Sequence, residues 1–297
     1  DFMRKNTIFT GSAVAIITPF TKDGVDFPAF EKLIERQIAL GTQCIVVCGT
    51  TGEPATMTAA ERESVIRFCI EHTNGRIPVV VGTGSNCTVD AVKNSENAQK
   101  WGADGLLVVT PYYNKCSPMG LKAHYKAISD AVTLPIIAYS VPSRTGVNIS
   151  ASLMAELAQI ENVAAIKEAS GNMDQVVAIA HACGDAIDIY SGEDALTVPM
   201  MSMGAKGVIS VAANIVPGDV QAMCSSALAG NFEAAAAAQK KLYPLIKALF
   251  CEVNPIPVKS AAAAMGLCSS TLRLPLTEMA PENLERLISA MRQYGVI

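Results

Sequence analysis

Ionisable side chains are scarce: only 17% of the 297 residues are Asp, Glu, Lys or Arg, and the net charge is −4. No Lys/Arg-rich run offers phosphates a basic stripe, which argues against a nucleic-acid partner. Half of the residues are apolar and the mean hydropathy is +0.31, partly from alanine tracts such as Ala234–Ala238. No apolar run approaches the ~18 residues of a membrane span, so no membrane association is expected. The nine cysteines, an odd number, show neither CxxC nor another paired spacing, and His72, His124 and His181 stand far apart. Neither a disulfide framework nor a metal site is therefore expected. A signal-peptide pattern is also lacking, so the expectation is reduced thiols in a cytoplasmic protein. Asp1 and Phe2, ahead of Met3, are left out of the fold argument.

The length allows about two domains, or one α/β barrel with an appendage. Short apolar, β-branched runs recur at Ala13–Ile17, Cys44–Val47, Val79–Val81, Leu106–Val109, Ile136–Tyr139, Val163–Lys167, Ile187–Tyr190 and Gly207–Val211. They begin roughly 20 to 35 residues apart, the length of one strand-plus-helix unit. Helical patterns alternate with them at Phe30–Leu40, Thr58–His72, Val89–Trp101, Leu121–Ala131, Ser152–Ile160, Asp174–Cys183 and Leu196–Met203. A doubly wound sheet is usually complete with fewer strands, so the count predicts an α/β fold of the (β/α)8 TIM-barrel type. Four more helical stretches follow: Pro217–Ala229, Phe232–Phe250, Pro257–Met265 and Glu282–Tyr294. The first is expected to close a catalytic barrel spanning 7–230. The others are expected to form a C-terminal helical region, 231–297, packed on it.

In such a barrel the active site lies at the C-terminal ends of the strands. The polar residues gather after those ends: Gly49-Thr50-Thr51-Gly52-Glu53, Gly82-Thr83-Gly84-Ser85, Thr110-Pro111-Tyr112-Tyr113-Asn114, Pro142-Ser143-Arg144-Thr145-Gly146, Lys167-Glu168-Ala169-Ser170-Gly171 and Ser191-Gly192-Glu193. Lys167 ends an apolar run, at the rim of a low-dielectric interior that favours a neutral amine. Such an amine attacks carbonyl carbon and forms a Schiff base; the alternative is an ion pair with the adjacent Glu168. Tyr139 also ends a strand, and a phenol beside an amine can shuttle the protons that imine formation demands. Taken alone, it reads more readily as an ordinary tyrosine with one end buried. Thr50 and Thr51, flanked by glycines, could donate to a carboxylate or simply form a turn. Arg144 suits bidentate carboxylate binding, or is a surface arginine.

Together these strings resemble the pyruvate-dependent class I aldolase and lyase family. The likeness runs from about Phe9 to the C-terminus and rests on six strings in order: Gly49-Thr50-Thr51-Gly52-Glu53, Thr110-Pro111-Tyr112-Tyr113-Asn114, Val141-Pro142-Ser143-Arg144-Thr145-Gly146, Ile166-Lys167-Glu168-Ala169, Gly207-Val208-Ile209-Ser210-Val211 and Asn254-Pro255-Ile256-Pro257-Val258-Lys259. It implies a Schiff base between Lys167 and pyruvate, whose enamine attacks the aldehyde of L-aspartate 4-semialdehyde on the lysine and diaminopimelate route. Tyr139 would be the general acid/base, with Thr50 and Tyr113 completing its proton relay. Tyr113 would reach in from a neighbouring subunit, implying a homo-oligomer, commonly a tetramer built as a dimer of dimers. Thr51 would hold the pyruvate carboxylate, the Ile209 backbone would border the pocket, and Arg144 would bind the carboxylate of the semialdehyde. No metal and no organic cofactor would be needed.

Arg144 favours this reaction over sister aldolases acting on sugar acids such as N-acetylneuraminate or 2-keto-3-deoxygluconate, which typically lack it. Ser140 stands where the resemblance leads one to expect Asn, outside the relay. At the pocket beside Tyr112 that the resemblance associates with lysine feedback, Tyr112 and Asn86 are kept, but Pro54, Ala59, Arg62 and Asp90 leave few side chains to clamp an amino acid. Weak or absent inhibition is expected. An oxidoreductase reading rests only on Gly82-x-Gly84, with Cys87 where a third glycine is required. A non-catalytic keto-acid sensor would have no need of both Lys167 and Tyr139.

Overall fold

A computed structural model describes residues 5–297, and Asp1 and Phe2 lie outside them. Eight parallel strands close into a barrel: β1 (Gly11–Ala15), β4 (Cys44–Val47), β5 (Val79–Gly82), β6 (Gly105–Val109), β7 (Ile136–Ser140), β8 (Val163–Glu168), β9 (Asp188–Ser191) and β10 (Gly207–Ser210). Their order around the ring follows the chain, and β1 pairs with both β10 and β4 to close it. A two-stranded hairpin, β2 (Phe20–Thr21) and β3 (Gly24–Val25), interrupts the first β/α unit.

Around the barrel lie α1 (Phe27–Ala39), α2 (Ala59–Thr73), α3 (Thr88–Lys100), α4 (Pro118–Ala131), the one-turn α5 (Pro142–Thr145), α6 (Ala151–Leu157), α7 (Met173–Cys183), α8 (Thr197–Ser202) and α9 (Pro217–Leu228). The C-terminal helices α10 (Phe232–Leu249), α11 (Ile256–Ala264) and α12 (Pro281–Tyr294) pack on α8 and α9 and on one another.

The predicted strands and helices are all present. The first strand starts two residues early, because Gly11 and Ser12 pair with Gly207 and Val208. Ile16 and Ile17 leave the ladder while staying buried. Helix α1 also begins before its apolar periodicity does: the Asp26 carboxylate caps it by accepting from the Ala29 N–H, and Pro28 occupies its first turn. That is where a missing N–H costs nothing.

Side chains alternate across each strand. Ile45, Val47 and Ile166 face the surrounding helices, whereas Cys44, Val46, Ala165 and Ile209 fill the barrel. Below the site the Phe9 and Tyr190 rings stack with centroids 4.2 Å apart, and the Tyr190 hydroxyl donates to the Phe9 carbonyl at 2.6 Å. This stack plugs that end of the barrel interior. The Lys5 ammonium ties down the chain start, donating to the carbonyls of Ala158, Ile160 and Val163 at 2.5–2.7 Å.

The cysteines are free thiols: Cys44, Cys48, Cys69, Cys183 and Cys224 are buried, Cys116, Cys251 and Cys268 partly so, and Cys87 is exposed. Burial pushes the Cys48 thiol up to about 12 and the Cys183 and Cys268 thiols to about 11. No group of three or more His, Cys, Asp or Glu converges as for a metal ion among the described residues. His124 is a buried helix residue whose Nδ1 meets the Thr88 hydroxyl at 2.8 Å.

Candidate active site

Strand register sets the centre of the site. Tyr139 on β7 lies directly beside Lys167 on β8, and both side chains point into the barrel mouth. The Lys167 ammonium sits 4.1 Å from the centroid of the Tyr139 ring. The two residues are 7% and 6% exposed, so the amine has little water around it. Among the described residues no carboxylate lies within ion-pairing distance of Lys167. Alternation along β8 turns Glu168 to the opposite face, where its Oε1 accepts from the Ser170 N–H at 3.2 Å and from Gln175 Nε2 at 2.9 Å. Pairing of Lys167 with Glu168, the alternative open from sequence, is thereby removed. Burial pushes the Glu168 carboxyl up, and the same cause raises Glu193 and Asp194 across the rim.

The loop after β9 must come very close to make room for this amine. A Cβ at Gly192 would lie 2.6 Å from the Ala169 Cβ, 3.1 Å from the Glu168 carbonyl oxygen and 3.2 Å from the Lys167 Cε. Any side chain there would have to shift Ala169 and would crowd Lys167, so glycine suits the position. Asp194 then locks the following turn: it accepts from the Ser210 hydroxyl at 2.5 Å and from the Val211 and Ala212 N–H groups at 3.0 Å. This fixes the end of β10, where Ile209 is buried in the barrel interior.

A cavity of about 370 Å³ opens beside Tyr139, lined by Thr50, Tyr139 and Arg144 together with Thr83, Tyr112 and Asn254, whereas Lys167, Thr51 and Ile209 do not line it. Arg144 rides on α5, held by Pro142 at its start and Gly146 at its end. Its Nη2 donates to the Asn254 carbonyl at 3.0 Å, leaving further guanidinium N–H groups free for an anion. Thr51 is buried, and its hydroxyl oxygen accepts from Asn254 Nδ2 at 2.9 Å. Asn254 therefore touches both expected carboxylate binders. Sequence reasoning had included it only in a motif and given it no role. The available signal was an amide in an otherwise apolar, proline-punctuated run.

Tyr113 is not brought to the site within this chain. It is 92% exposed, with a positive φ of 71°. The turn that carries it is held rigidly: Asn86 Nδ2 donates to the Tyr112 carbonyl at 3.2 Å, and Asn114 Nδ2 donates to the Asn86 carbonyl at 2.9 Å. Ser140 is buried and turned outward, its hydroxyl accepting the Ile149 N–H at 3.1 Å, away from Lys167.

A closed barrel with a sequestered lysine and tyrosine at one mouth has close counterparts. Residues 8–294 match the Dihydrodipicolinate synthetase family. The chain belongs to that family. A 4-hydroxy-tetrahydrodipicolinate synthase from Syntrophotalea carbinolica is 51% identical over 98% of this chain and 99% of its own length. Another from Alkaliphilus oremlandii is 48% identical over 98% of this chain and 100% of its own. The solved structure of the Acinetobacter baumannii dihydrodipicolinate synthase, in complex with pyruvate, is 45% identical with a TM-score of 0.96, covering 98% of this chain and 100% of that one. Membership in the dihydrodipicolinate synthetase family agrees with the likeness seen in the six sequence strings, of which Asn254–Lys259 supplies Asn254.

Proposed function

We propose that this chain is a 4-hydroxy-tetrahydrodipicolinate synthase, condensing pyruvate with L-aspartate 4-semialdehyde. Close relatives that carry this activity match it over nearly their full length. The observation that carries the mechanism is the sequestered Lys167 side chain against the Tyr139 ring, without a carboxylate partner among the described residues.

In this reading the neutral Lys167 amine attacks the keto carbon of pyruvate, and loss of water leaves an imine. Tyr139 gives and takes the protons of that exchange, relayed through Thr50 and Tyr113 of a neighbouring subunit. Thr51 holds the pyruvate carboxylate and the Ile209 backbone borders the methyl group. Loss of a methyl proton gives the enamine, whose carbon attacks the semialdehyde carbonyl while Arg144 holds the second carboxylate. The semialdehyde's own amino group then closes the ring on the imine carbon and releases Lys167.

No metal or organic cofactor enters these steps, because the imine itself is the electron sink. The working form is a homo-oligomer, a tetramer made of two dimers, acting in the cytoplasm. Feedback by lysine is weak, since Ala59, Arg62 and Asp90 offer little to clamp it.

The test is intact-protein mass after borohydride reduction with pyruvate, on the native chain and on Lys167→Ala. A pyruvate-sized adduct on the native chain alone is expected; no adduct on either chain overturns the mechanism. Turnover with L-aspartate 4-semialdehyde but not with sugar-acid aldehydes then separates the synthase from its sister aldolases.

A further inference from the structure

The loop that carries Thr50 and Thr51 ends in a buried carboxyl group the mechanism does not use. The Glu53 carboxylate meets the Lys259 ammonium of α11 at 2.5 Å, and the two side chains are 2% and 0% exposed. Glu53 sits between two 3-10 turns, Thr50–Gly52 and Pro54–Thr56, with left-handed backbone (φ 57°, ψ 43°). Its own N–H donates to the Thr50 carbonyl at 3.1 Å. A side-chain-bearing residue in that region costs roughly 1–2 kcal/mol, which glycine would avoid. The side chain of Glu53 is thus kept at a position whose backbone favours having none.

Lys259 is held from several sides. Its Nζ donates to the Thr271 carbonyl at 2.9 Å and lies 4.1 Å from the centroid of the buried Phe20 ring. The Arg273 guanidinium stands 4.2 Å from the same ring and donates to the Thr56 carbonyl at 3.1 Å. Burial pushes the Glu53 carboxyl up and the Lys259 ammonium down, and the opposite charge of each pulls the other back. Buried pairs of this kind can often be replaced by apolar side chains without loss of stability. Stability alone therefore gives little reason for this one, whereas the fixed location of its two ends does. The same stretch of chain also delivers Asn254 to Thr51.

We propose that Glu53 and Lys259 are positioning residues: their ion pair anchors the Gly49–Glu53 loop to α11 and thereby sets where Thr50 and Thr51 stand for pyruvate. This rests on the synthase reading above.

The test uses Glu53→Gln, Lys259→Met and the double variant Glu53→Gln/Lys259→Met in the full chain. Each single change strands a buried partner and lowers Tm; the double variant removes both charges and recovers to within about 5 °C of the native Tm. Its half-saturating pyruvate concentration, read from borohydride trapping and from KM, is nonetheless raised about tenfold, as misplaced binding groups require. KM for the semialdehyde moves much less. A folded double variant with native pyruvate saturation overturns the proposal. Should the double variant not fold, Glu53→Gln, which keeps the shape and removes the charge, carries the test: a severalfold rise supports positioning, and a native value overturns it. Failure of the native chain to trap pyruvate would remove the synthase reading itself, an outcome these variants do not mimic.

Discussion

At the residue scale, the clearest constraint is the missing side chain at Gly192. A methyl group there would collide with Ala169 and press on the Lys167 Cε. Overpacking of this kind costs about 1–3 kcal/mol, and here the crowded atom belongs to the amine proposed to react. Gly192→Ala should lower kcat/KM at least tenfold, as a displaced nucleophile implies, while Tm falls by only about 5–10 °C. A rate assay paired with a thermal melt checks this; equal activity at lowered Tm would show that Lys167 is not displaced. Lys167, Tyr139 and Arg144 were legible from sequence because each is polar where an apolar run stops or a proline-glycine turn begins. Gly192 and Asn254 were not, since what singles them out is contact with residues far away in the chain.

At the element scale, strand and helix positions were legible because buried parallel strands read as short β-branched runs with capped helices between them. The hairpin β2–β3 was not, since two-residue strands have no period. The C-terminal region's reach into the site was also hidden. It depends on side chains such as Lys259 and Arg273, whose surroundings no local pattern records.

Arg273 clasps Glu61 through two hydrogen bonds, at 2.7 and 2.9 Å, and Glu61 also closes the capping box of α2 with Thr58. The Arg273 hydrogen bond, with help from the Thr58 backbone, draws the Glu61 carboxyl down to about 2. A depressed carboxyl stabilises the fold above its unfolded value, near 4.3, and loses that contribution as pH falls through its folded value. Arg273→Ala should therefore lower Tm most above about pH 5, with the gap to the native chain narrowing between about pH 4 and 2. Melting both proteins across that range decides it; a gap independent of pH would assign the loss to packing against Phe20 and the hydrogen bond to the Thr56 carbonyl.

At the scale of the whole molecule, the barrel is closed and plugged at one end, yet the relay proposed for its open end is incomplete in a single chain. Tyr113 stands exposed on its turn, and Val89 and Met119, at the starts of the adjacent helices α3 and α4, are also 74% and 81% exposed. If Tyr113 serves a neighbour's site, Lys167→Ala and Tyr113→Phe chains are each nearly inactive. Mixed and allowed to exchange subunits, they should recover about a quarter of native activity, because one site in four regains both residues. No recovery after demonstrated exchange would place the tyrosine's role within its own chain.

The distribution of thiols gives the molecule a built-in handle. Thiolate is the reactive form, and burial suppresses it at Cys48, Cys183 and Cys268. Cys87 alone is exposed, one residue from the Asn86 that braces the Tyr113 turn. A maleimide dye added to the native protein should attach there first, once per chain, without any cysteine being engineered away. Its fluorescence would then follow subunit exchange at the very turn whose partner is in question.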